Sequence, residues 1–144
     1  DAGGLYYMKE FGCPSNAIIT PHPGEAAMLL GCSVEELQKN RLEAAKELYK
    51  RYNCLVILKG YQTIVFDGEA YQCTDGGPAL STAGTGDVLA GLIGSFLAQG
   101  ISKIDAAKFS VAIHGAAGDK FSKSKGLRGL TATKLIKIIN EEML

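Results

Sequence analysis

Apolar and polar positions follow two rhythms along the chain. NAIIT (16–20) is a short β-prone run closed by Pro21 and Pro23. A residue ahead of proline is pushed away from helix, so a strand leading into a rigid turn is expected. GEAAMLLG (24–31) then predicts a brief helix. In SVEELQKN, Ser33 and Glu36 have the spacing of a capping box. Asn40 and Glu43 repeat that spacing and predict a longer amphipathic helix, with Leu42, Ala45, Leu48, Tyr49 and Tyr52 along one side. CLVILKG (54–60) is apolar without alternation, as suits a strand covered on both faces in a parallel sheet. TIVFDGEAYQCT (63–74) predicts a hairpin turning through Asp67-Gly68.

Beyond a glycine-rich stretch, a helix is expected from about Asp87 to Gln99. Ser102 caps a further one through Phe121, with Ile104, Ala107, Val111, His114 and Gly115 on or near one stripe. GLRGL (126–130) reads as a loop, and Thr131 or Thr133 opens a last helix ending near Met143. Strand, helix, strand, small hairpin and packed helices argue an α/β class in one unit, without repeats or a linker.

Composition narrows the function. Fifteen basic residues balance fifteen acidic ones, so no general pull toward nucleic acid or anionic lipid is expected. No run of 18 apolar residues suggests a membrane span. Cys13, Cys32, Cys54 and Cys73 are widely spaced, without C-x-x-C or a neighbouring His. That spacing fits reduced thiols in a cytoplasmic protein and no metal site. The chain opens at Asp1 on DAGGLYYM, which reads as the interior of a longer protein.

Three stretches carry candidate chemistry. In STAGTGD (81–87), Gly84 and Gly86 allow a sharp turn and close approach to a ligand. With Asp87 in the first helical turn, the amides of Ala83 to Asp87 form an anion site at the positive end of a helix dipole. Asp87 is then either a base for a substrate hydroxyl or a plain helix cap. Lys59 ends the buried strand, where open sheets bind ligands; it neutralises a phosphate or simply snorkels to solvent. Thr63 donates to a phosphate or fills a hairpin position. His22, between two prolines, is either a fixed ligand group or an ordinary turn residue. His114, among Ala, Gly and Val, reads as a satisfied core histidine. Together His22, Lys59 and Asp87 describe a pocket for a phosphorylated ligand.

TPHPGEAAMLLG, VILKGYQTIV, ALSTAGTGDVLAGLIGSFLAQG and VAIHGAAGD, in this order, resemble the ADP- or ATP-dependent NAD(P)H-hydrate dehydratases of the ribokinase-like superfamily. The resemblance covers nearly the whole chain. It implies a three-layer fold with a largely parallel sheet flanked by helices. Residues 1–144 would be the carboxyl-terminal part of a single dehydratase domain, incomplete at its N-terminus. The implied reaction restores hydrated NADH or NADPH by phosphorylating the ring hydroxyl and eliminating phosphate. ADP or ATP is the implied co-substrate, with Mg²⁺.

The resemblance also implies roles for particular residues. His22 and Asp87 would bind the hydrate, with Asp87 as base. Lys59, Gly60, Tyr61, Gln62, Thr63, Gly84, Thr85 and Gly86 would bind the nucleotide, the last three also holding the migrating phosphoryl group. Departures from the family pattern fall at DAGGL and at Gly77, Leu80 and Ala83. A ribokinase-like kinase acting on a vitamin precursor or sugar, and a nucleotide-binding fragment without turnover, are the alternatives. A sheet edge exposed by truncation would favour a homo-oligomer.

Overall fold

The apolar run at 54–60 folds as the central strand, and its burial explains its composition. The computed structural model describes residues 1–14 and 16–142. They divide into two compact units, Asp1–Gln72 and the part from Cys73 onward.

The first unit carries a four-stranded sheet in the order β1 (Ile18–Ile19), β2 (Leu55–Leu58), β3 (Ile64–Phe66) and β4 (Ala70–Gln72). Every residue of β2 and β3 is buried, as their unbroken apolar sequence requires. β1 pairs with β2 in parallel, Ile18 opposite Leu55 and Ile19 opposite Val56. The other two pairings are antiparallel, Val56 opposite Phe66 and Phe66 opposite Ala70. Within this chain the sheet is therefore mixed rather than largely parallel. Only residues 59–63 join β2 to β3, too short for the crossover that a parallel pair needs. The β3–β4 turn is the expected Asp67-Gly68 hairpin, with Gly68 at φ 90°.

Four helices complete this unit: α1 (Gly3–Phe11), α2 (Pro23–Leu30), α3 (Val34–Lys39) and α4 (Arg41–Tyr52). Leu5, Met8, Leu29, Leu37, Ala45 and Leu48 join Val56, Leu58, Ile64 and Phe66 in its core. The Ser33–Glu36 capping box forms as the spacing predicts, with Glu36 N donating to Ser33 Oγ at 3.1 Å and Ser33 N to Glu36 Oε2 at 2.9 Å. Its expected repeat at Asn40 does not form. Asn40 is the last residue of α3's cap as well as the first of α4's, and its side chain makes no cap bond. Glu43 pairs instead with Lys46 at 2.7 Å. The inward stripe of α4 is Ala44, Ala45 and Leu48, and Leu42 is exposed. Arg41 takes the N-terminal end of that stripe.

The second unit packs a short 3₁₀ turn (Pro78–Leu80) with α5 (Thr85–Ala98), α6 (Lys103–Lys125) and α7 (Ala132–Glu142). Ala79, Ala117, Phe121, Leu130, Leu135 and Ile139 form its core. Ser102 caps α6 by accepting from Asp105 N at 3.2 Å, and the helix runs four residues past the expected Phe121. Thr131 Oγ1 accepts from Lys134 N at 3.3 Å at the start of α7. The end expected for this helix, Met143, lies outside the described residues.

Candidate functional site

Each unit holds one constellation of the expected residues. In the first, the ends of β1 and β2 run side by side, and Lys59 N donates to Pro21 O at 2.9 Å. This brings the His22 turn next to Lys59. His22 is the N-cap of α2: Glu25 N donates to His22 Nδ1 at 3.2 Å, and His22 N donates to Glu25 Oε2 at 2.8 Å. An accepting Nδ1 leaves the ring proton of the neutral imidazole on Nε2, a donor with its side chain 57% exposed. Sequence reasoning gave His22 a ligand role or none; the capping role was hidden because His is an infrequent cap.

Lys59 Nζ lies 2.8 Å from Asp1 Oδ1 and 4.0 Å from Glu25 Oε2. The lysine is thus held by carboxylates and does not merely snorkel. Arg41, which the sequence did not single out, donates to Leu58 O at 3.2 Å and Lys59 O at 3.4 Å. It closes the carbonyl end of β2, and burial lowers its affinity for the proton.

The loop after β2 is shaped by Gly60 at φ 134°, where a side chain would meet Arg41 Nη1 at 2.9 Å. Thr63 Oγ1 donates to Gly60 O at 3.0 Å, and Gln62 Oε1 accepts from Gln72 Nε2 at 2.9 Å. Thr63 thus braces the turn in this structure, and Gln62, in the left-handed region at φ 54°, ties the turn to β4. Tyr61 is 76% exposed. Thr20 Oγ1, at the end of β1, is buried without a partner among the described residues.

In the second unit, Gly84 at φ 86° is the N-cap of α5. The helix begins at Thr85, two residues before the expected start, so Asp87 stands third and not at the cap. Asp87 is thus an acidic residue of the first turn and not the N-cap, which is Gly84. Asp87 is exposed in the first turn. The expected row of free amides is shorter than predicted, because Thr85 N donates to Thr82 O at 3.3 Å. The amides of Ala83, Gly84, Gly86 and Asp87 have no backbone acceptor among the described residues. They are the donors available to an anion here.

The loop before α5 is fastened from several sides. Thr85 Oγ1 donates to Leu80 O at 2.6 Å or Thr82 O at 2.8 Å. His114 Nε2 lies 2.8 Å from Thr85 O, and Gly76 N donates to Asp119 Oδ2 at 3.0 Å. His114 is satisfied, as the sequence suggests, by the carbonyl of the first residue of α5 among others. Of the three positions departing from the family pattern, Leu80 packs into this unit's core, while Ala83 is exposed.

Among the described residues, no three His, Cys, Asp or Glu side chains gather as a metal site. A divalent ion fits here only in the manner of Mg²⁺, carried largely by the phosphates of a nucleotide.

The fold is shared with ribokinase-like proteins. A ribokinase-like superfamily protein from Enterococcus faecalis superposes with a TM-score of 0.79 at 27% identity, over 94% of this chain and 48% of that one. The ADP/ATP-dependent NAD(P)H-hydrate dehydratase of Bacillus subtilis, crystallised with ATP and Mg²⁺, superposes at 0.84 with 34% identity, over 90% of this chain and 50% of that one. The chain belongs to the NAD(P)H-hydrate dehydratase family, whose profile matches residues 1–141. Among curated relatives, the bifunctional NAD(P)H-hydrate repair enzyme of Vibrio cholerae is 46% identical over 98% of this chain. The ADP-dependent (S)-NAD(P)H-hydrate dehydratase of Neisseria meningitidis is 44% identical over 86%. The chain spans only 29% and 43% of those two relatives.

Proposed function

We propose that this chain is the carboxyl-terminal part of a single ribokinase-like domain that dehydrates hydrated NADH or NADPH at the expense of ADP or ATP. The observation that carries this reading is the family match over residues 1–141, which includes Asp87 on an uncapped, glycine-turned helix start. Asp87 takes the proton of the ring hydroxyl as that oxygen attacks the terminal phosphoryl group of the nucleotide, whose bridging P–O bond breaks to release the nucleotide one phosphate shorter. The C–O bond then breaks, phosphate leaves, a ring proton is lost, and the reduced nicotinamide double bond is restored.

The turn at Gly84, Thr85 and Gly86 holds the transferring phosphoryl group through backbone amides. Lys59, Gly60, Tyr61, Gln62 and Thr63 serve the nucleotide, and the Nε2–H of His22 serves the hydrate. Mg²⁺ bound with the nucleotide phosphates would offset their charge. We place the reaction in the cytoplasm, in keeping with four free cysteines. Neither nucleic acid nor membrane enters it: the net charge is zero, and no described helix is long and apolar enough to cross a bilayer. A homo-oligomer remains part of the proposal.

The test supplies hydrated NADH with ADP or ATP and Mg²⁺ to the complete gene product and follows absorbance of the reduced nicotinamide. Recovery is expected with at least one nucleotide. No recovery with either, on folded protein, overturns the lyase reading. Phosphoryl transfer to a vitamin-type alcohol or sugar instead would make it a kinase.

A further inference from the structure

His114 sits on α6, a helix whose neighbouring face is cut away. At Gly115 a side-chain carbon would lie 2.7 Å from Asp75 O, and at Gly118 one would lie 2.6 Å from Leu80 Cγ. Both glycines are buried. Their lack of a side chain lets the segment 75–80 lie directly on the helix. One turn beyond His114, Asp119 accepts from Gly76 N at 3.0 Å. His114 itself reaches Thr85 O at 2.8 Å. A single helix face thus grips the loop at its beginning, middle and end.

The last of these grips acts where the chemistry is assigned. A carbonyl oxygen only accepts, so His114 Nε2 carries the hydrogen in this bond. Its target belongs to the first residue of α5, two positions before Asp87. The cap of α5 is a glycine that supplies no side-chain bond, so little in its own sequence fixes how the helix begins. Thr85 supplies a local anchor through its hydroxyl, and His114 supplies one from another helix.

We propose that His114 is a positioning residue for Asp87: its bond to Thr85 O fixes the first turn of α5 and hence the aim of the Asp87 carboxylate. This rests on the reading of Asp87 as the base. A histidine that merely filled the core would influence stability and leave the aim of that carboxylate unchanged.

The test compares His114→Leu, which removes the donor, with His114→Gln, whose amide nitrogen can reach the same carbonyl. In the complete gene product, His114→Leu is expected to lower kcat about tenfold or more, since small misplacements of a base are costly. KM for hydrate and nucleotide should stay within about twofold, and His114→Gln should recover most of the loss. Amide exchange provides the second measurement, made on the same variants. Val88 N, bonded to Gly84 O at 3.2 Å, should exchange about tenfold faster in His114→Leu. Leu135 N, bonded to Thr131 O in α7, should be unchanged.

An unchanged kcat in His114→Leu overturns the proposal. So does equal acceleration at Val88 and Leu135, which marks general loosening, or a folded His114→Gln that fails to recover. If wild-type protein lacks dehydratase activity, the functional reading fails. The exchange comparison then still decides whether His114 holds the helix start.

Discussion

Lys59 and Asp1 form an ion pair at 2.8 Å with only 19% of each side chain exposed, and Glu25 stands 4.0 Å from the same ammonium. The cation therefore holds two carboxylates from different elements. Removing it takes away the counter-charge they share, whereas a bound phosphate would compete with them for it. Lys59→Met is expected to cost about 2 kcal/mol, between the values for exposed and fully buried pairs. A urea midpoint series measures this, and Asp1→Asn should recover part of the loss in the Lys59→Met background. In the same variant, affinity for ADP or ATP should fall. Undiminished nucleotide affinity would remove Lys59 from the nucleotide site.

His22 performs two tasks that substitution can separate. Its Nδ1 caps α2, while its Nε2–H, 3.6 Å from Glu25 Oε1, is the group assigned to the hydrate. His22→Ala should lose the cap at a cost of about 1 kcal/mol, whereas His22→Asn retains a capping oxygen and should cost a few tenths. Both remove the ring and should raise KM for the hydrate. Thermal unfolding reads the first task and steady-state kinetics the second. A raised KM in His22→Ala but not in His22→Asn would reduce His22 to a cap.

Asp87→Asn keeps the size of the side chain and removes its capacity to take a proton. Because Gly84, not Asp87, occupies the cap, the helix should tolerate the change with little effect on stability. Turnover should fall about 10²–10⁴-fold, the usual worth of a positioned general base. Nucleotide binding measured by calorimetry should persist. Retained turnover would show that the carboxylate is not the base.

What was legible in the sequence was local. The Ser33–Glu36 box and the Asp67-Gly68 hairpin are written in neighbouring residues, and the CLVILKG run states its own burial. The helix Gly3–Phe11 has no clear signal in the sequence: GGLYYMKEF opens on two glycines and places Tyr6, Tyr7 and Phe11 in solvent, so its apolar residues trace no single stripe. Asn40 misled because one residue ends α3 and begins α4, a conflict that spacing cannot express. The partner of Lys59 lies 58 residues away, and Arg41 reaches Leu58 O across 17. Contacts of that span leave no mark on either local sequence. The glycine-rich turn at 84–86 is legible in the local sequence, but its attachment through His114 and Asp119 depends on tertiary packing.

The two glycines on α6 should respond differently to enlargement. At Gly115 the obstacle is the backbone of Asp75, at 2.7 Å to its oxygen and 2.9 Å to its carbonyl carbon. At Gly118 it is the Leu80 side chain, which can turn or be shortened. Gly115→Ala should therefore cost about 1–3 kcal/mol, as overpacking against fixed atoms does. Leu80→Ala should relieve Gly118→Ala and leave Gly115→Ala unimproved. A double-mutant cycle measures both couplings, and relief at Gly115 would contradict the geometry.

Cys32 is exposed, whereas Cys73 is buried with Sγ 3.7 Å from Asp75 O and 3.9 Å from Val111 O. Burial pushes the Cys73 thiol above its ordinary value of 9.0; the backbone contact at Asp75 opposes this, and the Asp75 and Asp119 carboxylates reinforce it. A disulfide reagent near neutral pH should therefore modify Cys32 first and reach Cys73 about 100-fold more slowly, through opening of the second unit. Because the folded chain holds the Cys73 proton more tightly than the unfolded one, this group's contribution is intact below 9.0 and is lost as pH rises through the higher folded value. Stability should thus fall more steeply above that pH in wild type than in Cys73→Ala, as denaturant midpoints on either side of it will show. Equal slopes would mean that the thiol titrates as freely in the folded chain as in the unfolded one.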